Sequence, residues 1–187
     1  MTIQEQKVGT WAGFPAVGFV ARLKLVPADQ VVNLLTPDQL PTPGKPFTVN
    51  KAGILVEVGT TVYELNLRPA QTTFKQDEIV DVNGTSYALS IEADVPTSPD
   101  LVKFLQLNRA RRWLAIWIDL TGQAYVAGQA NKGFTLTHQR SLTSINSTQL
   151  SLRARCLNPT WYLESFLSSE LFPDAAFDHS FAISFDS

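Results

Sequence analysis

Residues 112–128 read RWLAIWIDLTGQAYVAG, and this stretch decides the fold class. After one arginine, residues 113–118 are all aromatic, β-branched or aliphatic, a composition that favours a strand. In an extended chain Trp113, Ala115 and Trp117 project to one side and Leu114, Ile116 and Ile118 to the other. Both faces are apolar, so the strand is expected at the centre of the domain, covered above and below. Asp119-Leu120-Thr121-Gly122 supplies a turn, since Asp bonds its own backbone and Gly takes φ > 0. Residues 123–128 then return as the second strand of a hairpin.

Working outward, residues 97–112 change the period. Ser98 reads as an N-cap with Pro99 in the first helical position. Leu101, Phe104, Leu105 and Asn108 share one helical face. The pattern predicts a helix over about 98–110 that ends near Arg109, Arg111 and Arg112, where cations suit the carboxyl end of the dipole. Upstream, residues 79–82 and 85–95 flank Asn83-Gly84, the strongest short-range hairpin signal. Tyr87, Leu89, Ile91, Ala93 and Val95 alternate with Ser86, Ala88, Ser90, Glu92 and Asp94. Residues 71–75 read as a weak strand. Residues 47–58, broken at Gly53, and 61–68, with Tyr63, Leu65 and Leu67 on one face, meet at a Gly59-Thr60 turn.

The first strand spans 16–26 and ends at Pro27. Val17, Phe19, Ala21, Leu23 and Leu25 line one face. Gly18, Val20, Arg22, Lys24 and Val26 line the other, whose two cations imply a partly wet face or one that meets a partner. Residues 28–35 suit a short strand or one helical turn. Pro37, Pro41, Pro43, Gly44 and Pro46 then exclude any ladder or helix. A loop of that length is a linker or a binding arm, and the binding arm is the favoured reading. Downstream, 129–133 is a loop and 134–139 a strand. Residues 140–146 are polar and read as a protruding loop. Residues 148–156 form a strand with Leu150, Leu152, Ala154 and Cys156 inside, broken at Asn158-Pro159. Residues 161–172 suggest a short helix, and the tail alternates at Phe181, Ile183 and Phe185.

The domain division is therefore an N-terminal arm over 1–15, a β-domain over 16–163 with an extended Pro-rich loop at 36–53, and a tail over 164–187. Strands without βαβ repetition predict a mainly β architecture: an antiparallel sandwich or barrel with one flanking α-helix.

With 187 residues, 44% hydrophobic and only 17% charged, the chain has material for one real core but a thin charge shell. Such a surface suits burial against neighbours. A net charge of −2 gives no global basic field for nucleic acid. The first ten residues carry no apolar run of a signal peptide, and no stretch approaches a membrane span. With a single cysteine that reads as a small core residue, a reducing cytoplasm is the expected site of synthesis.

The sequence carries no convincing catalytic constellation. His138 and His179 sit far apart in dissimilar contexts and, with Cys156, fall short of a tetrahedral zinc set. The acid pairs Asp77/Glu78 and Asp174/Asp178 read as solvated neighbours. Arg109, Arg111 and Arg112 beside Trp113 form the only basic cluster, better suited to capping carbonyls or to pairing with acids, including acids of another subunit, than to nucleic acid. No catalytic residue, cofactor or metal is expected. Of the four tryptophans, Trp113 and Trp117 fit core packing. A carbohydrate- or receptor-binding sandwich, the alternative function, would need Trp11 and Trp161 exposed and close together.

The order of motifs resembles phage tail proteins of Bacteroidetes-type bacteria. GFVARLKLVPADQV at 18–31 is similar to their opening strand. DEIVDVNGTSYALSIEADVP at 77–96 resembles their paired strands around a short turn. A helix followed by RRWLAIWIDLTGQAYVAG at 111–128 resembles their apolar strand and D-x-x-G-Q hairpin. STQLSLRARCLNPTWYL at 147–163 resembles their closing strand. The resemblance spans residues 16–163 and implies a tail tube-like subunit: a non-enzymatic virion component made in the host cytoplasm. Such a subunit assembles with copies of itself into rings or a tube and meets other tail or baseplate proteins, with no membrane and no sequence-specific DNA contact. It further implies that the N-terminal arm, the loop with Pro37, Pro41, Pro43 and Pro46, and the tail with Phe181 and Phe185 reach adjacent subunits. With Arg109, Arg111 and Arg112 these are the candidate interface residues.

Overall fold

The computed structural model describes residues 19–67, 71–82, 84–142 and 146–173. Among them run twelve strands: β1 (Val20–Pro27), β2 (Val31–Leu34), β3 (Thr48–Val49), β4 (Ile54–Val56), β5 (Tyr63–Asn66), β6 (Thr72–Asp81), β7 (Gly84–Pro96), β8 (Arg112–Asp119), β9 (Ala124–Ala127), β10 (Phe134–Leu142), β11 (Asn146–Cys156) and β12 (Trp161–Leu163). Helix α1 (Pro99–Leu107) lies between β7 and β8, and a short helix α2 (Ser168–Leu171) follows β12. Among the described residues no helix is long and apolar enough to cross a membrane.

β8 is central, as its two apolar faces require. β1 runs antiparallel along one edge, and β9 and β10 share the other. Trp113, Ala115 and Trp117 enter a first core with Leu23, Leu25, Ile91, Phe104 and Leu152. Leu114 and Ile116 enter a second core with Val26, Val49, Ile54, Leu163 and Phe172. Each fully buried large side chain contributes roughly 1.5–3 kcal/mol, so a strand buried on both faces anchors more of the molecule than any other.

The main sheet has ten strands in the order β3-β12-β9-β8-β10-β11-β7-β6, with β1 and β5 joined at the other edge of β8. All its pairings are antiparallel except β12 with β3. The sheet curls on itself: Phe74 on the terminal strand β6 lies 4.8 Å, centroid to centroid, from Trp117 on β8. The small sheet β2-β4 helps to cover the second core. The architecture is the expected mainly β, largely antiparallel sandwich with a flanking helix.

α1 starts as its sequence dictates. Ser98 Oγ accepts the Leu101 N–H at 3.1 Å, and Leu101, Phe104 and Leu105 are buried. Its end differs from the expectation. The helix stops at Leu107, and Asn108 closes it through its own N–H and its Nδ2, 2.9 Å from the Phe104 carbonyl. Ala110 then turns at φ 59°. The three arginines therefore lie beyond the helix and none sits in its last turn.

Other departures have tertiary causes. The β1 register shifts between Val20 and Arg22, and this bulge turns Val20 into the first core instead of beside Arg22, Lys24 and Val26. The Gly59 turn does not join paired strands, since β4 pairs β2 and β5 pairs β1. The protruding loop expected at 140–146 is mostly ladder: β10 runs to Leu142 and β11 starts at Asn146. Its polarity matches the exposure of Arg140 and Ser141. The helix expected over 161–172 begins as β12, recruited between β9 and β3, and only 168–171 are helical.

The Pro-rich loop is not extended. Its turns close locally, with Gln39 and Leu40 N–H on the Thr36 carbonyl and Lys45 N–H on that of Thr42. β3 and a 3-10 turn at Lys51–Gly53 end it before residue 53. The tail expected from 164 begins later, because Phe166, Leu171 and Phe172 are buried in the second core.

Candidate subunit interface

β6–β7 and β10–β11 build a four-stranded antiparallel sheet, β10-β11-β7-β6, whose two outer strands are incompletely paired. Among the described residues β6 pairs only with β7. β10 touches β8 only at Phe134 and Thr135, so residues 136–142 have β11 as their one strand partner among the described residues. Each outer edge thus offers a row of backbone donors and acceptors. Because every neighbouring pair in this sheet is antiparallel, β6 runs opposite to β10.

The two edges differ in charge. β6 carries Asp77, Glu78 and Asp81 against Lys75, and residues 75–78 are exposed. β10 carries His138 and Arg140, both exposed, and no acid. By alternation Glu78, opposite Tyr87, and Arg140, opposite Thr148, project from the same side of the sheet as the core residues. At the tip of the β6–β7 hairpin Val80 and Val82 are exposed, and Asp81 is paired to Arg155 at 3.6 Å.

The residues expected at an interface differ in exposure and in partners. Pro37 is half-buried, and Pro41, Pro43 and Pro46 are exposed. Thr42 between them is buried, its Oγ1 donating to the Thr48 carbonyl at 3.1 Å, which pins the loop. Arg109 is exposed. Arg111 grips Asp29 with Nε and a terminal nitrogen, both at 3.2 Å. That hydrogen bonding, rather than the slight burial, holds the Asp29 carboxyl below its ordinary pKa. Arg112 donates to Thr135 Oγ1 at 2.5 Å. The basic cluster is thus dispersed, with Arg111 and Arg112 taking partners in this chain. Phe181 and Phe185 lie outside the described residues.

Sequence reading missed Phe47. It is 65% exposed and sits at φ 62°, a left-handed backbone that costs a non-glycine residue about 1–2 kcal/mol. Lys24, on a face expected to be partly wet or to meet a partner, is only 3% exposed. Lys24 is roofed by the chain's own Phe166 and Ser168.

His138 lines a shallow open groove with Glu92, Gln139 and Arg153. No group of three or more His, Cys, Asp or Glu side chains able to hold a metal occurs among the described residues. Cys156 is buried, and burial pushes its thiol pKa up, away from reactivity. Trp161 is half-buried against the second core, which removes one of the two exposed rings that a glycan platform would use; Trp11 lies outside the described residues.

Fold and surface together define a mainly antiparallel β-sandwich with a flanking helix and two sheet edges of opposite charge that are open among the described residues. No known protein family, curated protein or solved structure matches the chain.

Proposed function

We propose that the chain is a non-enzymatic structural subunit that assembles with copies of itself into rings or a tube, as in a phage tail or a related contractile injection apparatus. The observation that supports this most directly is the pair of open edges at opposite margins of one four-stranded sheet. Since β6 runs opposite to β10, copies related by simple rotation would meet with β6 of one antiparallel to β10 of the next, continuing the ladder. Such a head-to-tail contact uses two different surfaces, so it generates rings where the rotation closes. Acids on β6 and Arg140 on β10 favour that pairing over β6 with β6 or β10 with β10. The motif order resembling phage tail proteins supplies the biological setting, with other tail or baseplate proteins as further partners.

The test is assembly state, read by light scattering and negative-stain microscopy over rising protein concentration. Rings or tubes are expected. Glu78→Lys should abolish them, and mixing in the same chain Glu78→Lys with Arg140→Glu should restore them. A wild-type chain that stays monomeric at millimolar concentration overturns the proposal.

A further inference from the structure

The β6 edge ends on two exposed valines. Val80 is 73% exposed and Val82 101%, just beyond the acids at 77 and 78. Sheet edges that stay in solvent are commonly blunted with charge or proline, and the end of this one carries bare aliphatic side chains instead. By alternation Glu78 and Val80, opposite Tyr87 and Thr85, project from the core side of the sheet.

Strand β10 carries the matching features. β8 occupies its edge at Phe134 and Thr135, and from Leu136 onward that edge is open among the described residues. Leu136, His138 and Arg140, opposite Leu152, Leu150 and Thr148, project from the core side as well. Leu136 is only half-buried where it packs against the first core. An apolar residue therefore stands where the open edge begins and a cation stands further along it. On β6 the acid comes first and the valines lie at the tip. In antiparallel strands these two orders match.

We infer that β6 of one copy docks on β10 of the next in a single register, with Glu78 opposite Arg140, Val80 opposite His138 and Val82 opposite Leu136. This register rests on the β6–β10 contact proposed above and names the residues that fix it. Side chains alternate, so any odd shift would turn Glu78 and Arg140 to opposite faces. A shift of two toward β8 would carry Asp81 onto Thr135, whose edge β8 already fills. A shift of two the other way would set Val80 against Arg140 and leave Glu78 at the hairpin end, opposite position 142, without its cation. In the inferred register the ladder uses the whole open edge of β10, from 136 to 142. Val80 also lies diagonal to Leu136, within reach of an aliphatic contact. Charge selects which edges meet, and the valine–leucine contact beside the β8 junction sets how far they slide.

The test uses full-length chains that each carry one added cysteine on the outer face, away from the named contacts. Ile79→Cys chains are mixed with Gln139→Cys, Thr137→Cys or Ser141→Cys chains under mild oxidation, and linked dimers are read on non-reducing gels. Positions 137, 139 and 141 are all exposed, and native Cys156 is buried. Ile79 faces Gln139 in the inferred register, so that pair should link at least tenfold more than either of the others. Assembled chains that link best through Thr137→Cys or Ser141→Cys, or that do not link, overturn the register and leave the assembly reading standing. Wild-type chains that stay monomeric overturn both. Separately, Val80→Ser combined with Val82→Ser should raise the concentration at which rings form about tenfold. Its unfolding midpoint should stay that of the wild type, because both side chains are exposed in the single chain. Assembly at the wild-type concentration overturns the valine contact.

Discussion

The ammonium of Lys24 lies 2.5 Å from the carbonyl oxygen of Phe166 and 4.0 Å from the centroid of the same residue's ring. It also donates to Ser168 Oγ at 2.7 Å and stands 3.8 Å from Glu64. A strand near the start of the described chain thereby holds a segment near its end.

Burial lowers the Lys24 pKa to about 8, with Glu64 opposing and Arg22 assisting the shift. In the unfolded chain the group titrates near 10.5. Between those values the unfolded state binds more protons, so this group's contribution to stability rises with pH from about 8 to 10.5. Burying the charge is a cost that disappears as the folded lysine deprotonates. Lys24→Met removes the titration, and the wild type should gain about 2 kcal/mol on the variant between pH 7 and pH 10. Denaturant unfolding of both proteins at the two pH values reads this, and the comparison cancels the opposing effects of Cys156 and Tyr125. Parallel pH profiles would disprove it.

Asp119 organises the β8–β9 turn. Its Oδ1 accepts from the N–H of Thr121 at 2.8 Å, from Thr121 Oγ1 at 2.6 Å and from the N–H of Gln123 at 3.0 Å. Its Oδ2 accepts from the Tyr125 hydroxyl at 3.0 Å. Burial alone would raise the carboxyl pKa, but these bonds together outweigh it and hold the group below its ordinary value. The stabilisation is present above the unfolded pKa and is lost as pH falls through the lower folded one. Asp119→Ala should cost about 2–4 kcal/mol at pH 7, and the deficit should shrink below pH 4. A variant within 0.5 kcal/mol of wild type, an amount typical of neutral surface changes, would refute this role.

These two residues mark what local sequence can and cannot disclose. The Asp119 turn, the Ser98 cap and the two-sided strand at 113–118 are legible because each depends on neighbours within a few positions. Lys24 was not legible, since alternation places it beside Arg22 on a face whose cover is 142 residues away. Val20 was misplaced because one bulged residue reverses the alternation. Trp161 reads as helical until β9 and β3 recruit it. Arg140 reads as loop because residues 137–141, exposed on both sides of the ladder, have no apolar period. The open edges themselves were invisible for a similar reason. An edge is defined by the strand that fails to arrive, and Asp77 and His138 alone do not report it.

Gly133 admits no side chain. A Cβ built there would lie 2.0 Å from the Trp113 carbonyl oxygen and 2.5 Å from its carbon. The obstacle is the backbone of the central strand, which cannot rotate aside. Gly133→Ala should therefore cost about 3 kcal/mol or more, or prevent folding. Gly44→Ala meets no atom within 4 Å and suffers only from its φ of 72°, so about 1–2 kcal/mol is expected. Thermal unfolding of both variants gives the ranking; equal losses would show that β8 yields at Trp113.

Phe74 links sandwich closure to the proposed assembly. Among the described residues β6 has one strand partner, β7, and Phe74 is its inward anchor, packed on Trp117 at 4.8 Å. Thr160 N–H adds one bond, to Gln76 Oε1 at 2.8 Å. Beyond these and the Arg155–Asp81 pair, residues 75–78 are exposed and belong to neither core. Phe74→Ala removes a half-buried ring and should lower global stability by about 2 kcal/mol, less than for a fully buried phenylalanine. Amide exchange in 75–81 should accelerate more than that loss accounts for, because β6 can then open without β8. A frayed β6 presents no fixed edge, so rings should form only at higher protein concentration although no proposed contact residue has changed. Uniform acceleration across β6, β7 and β11 would show instead that the four-stranded sheet opens as one unit.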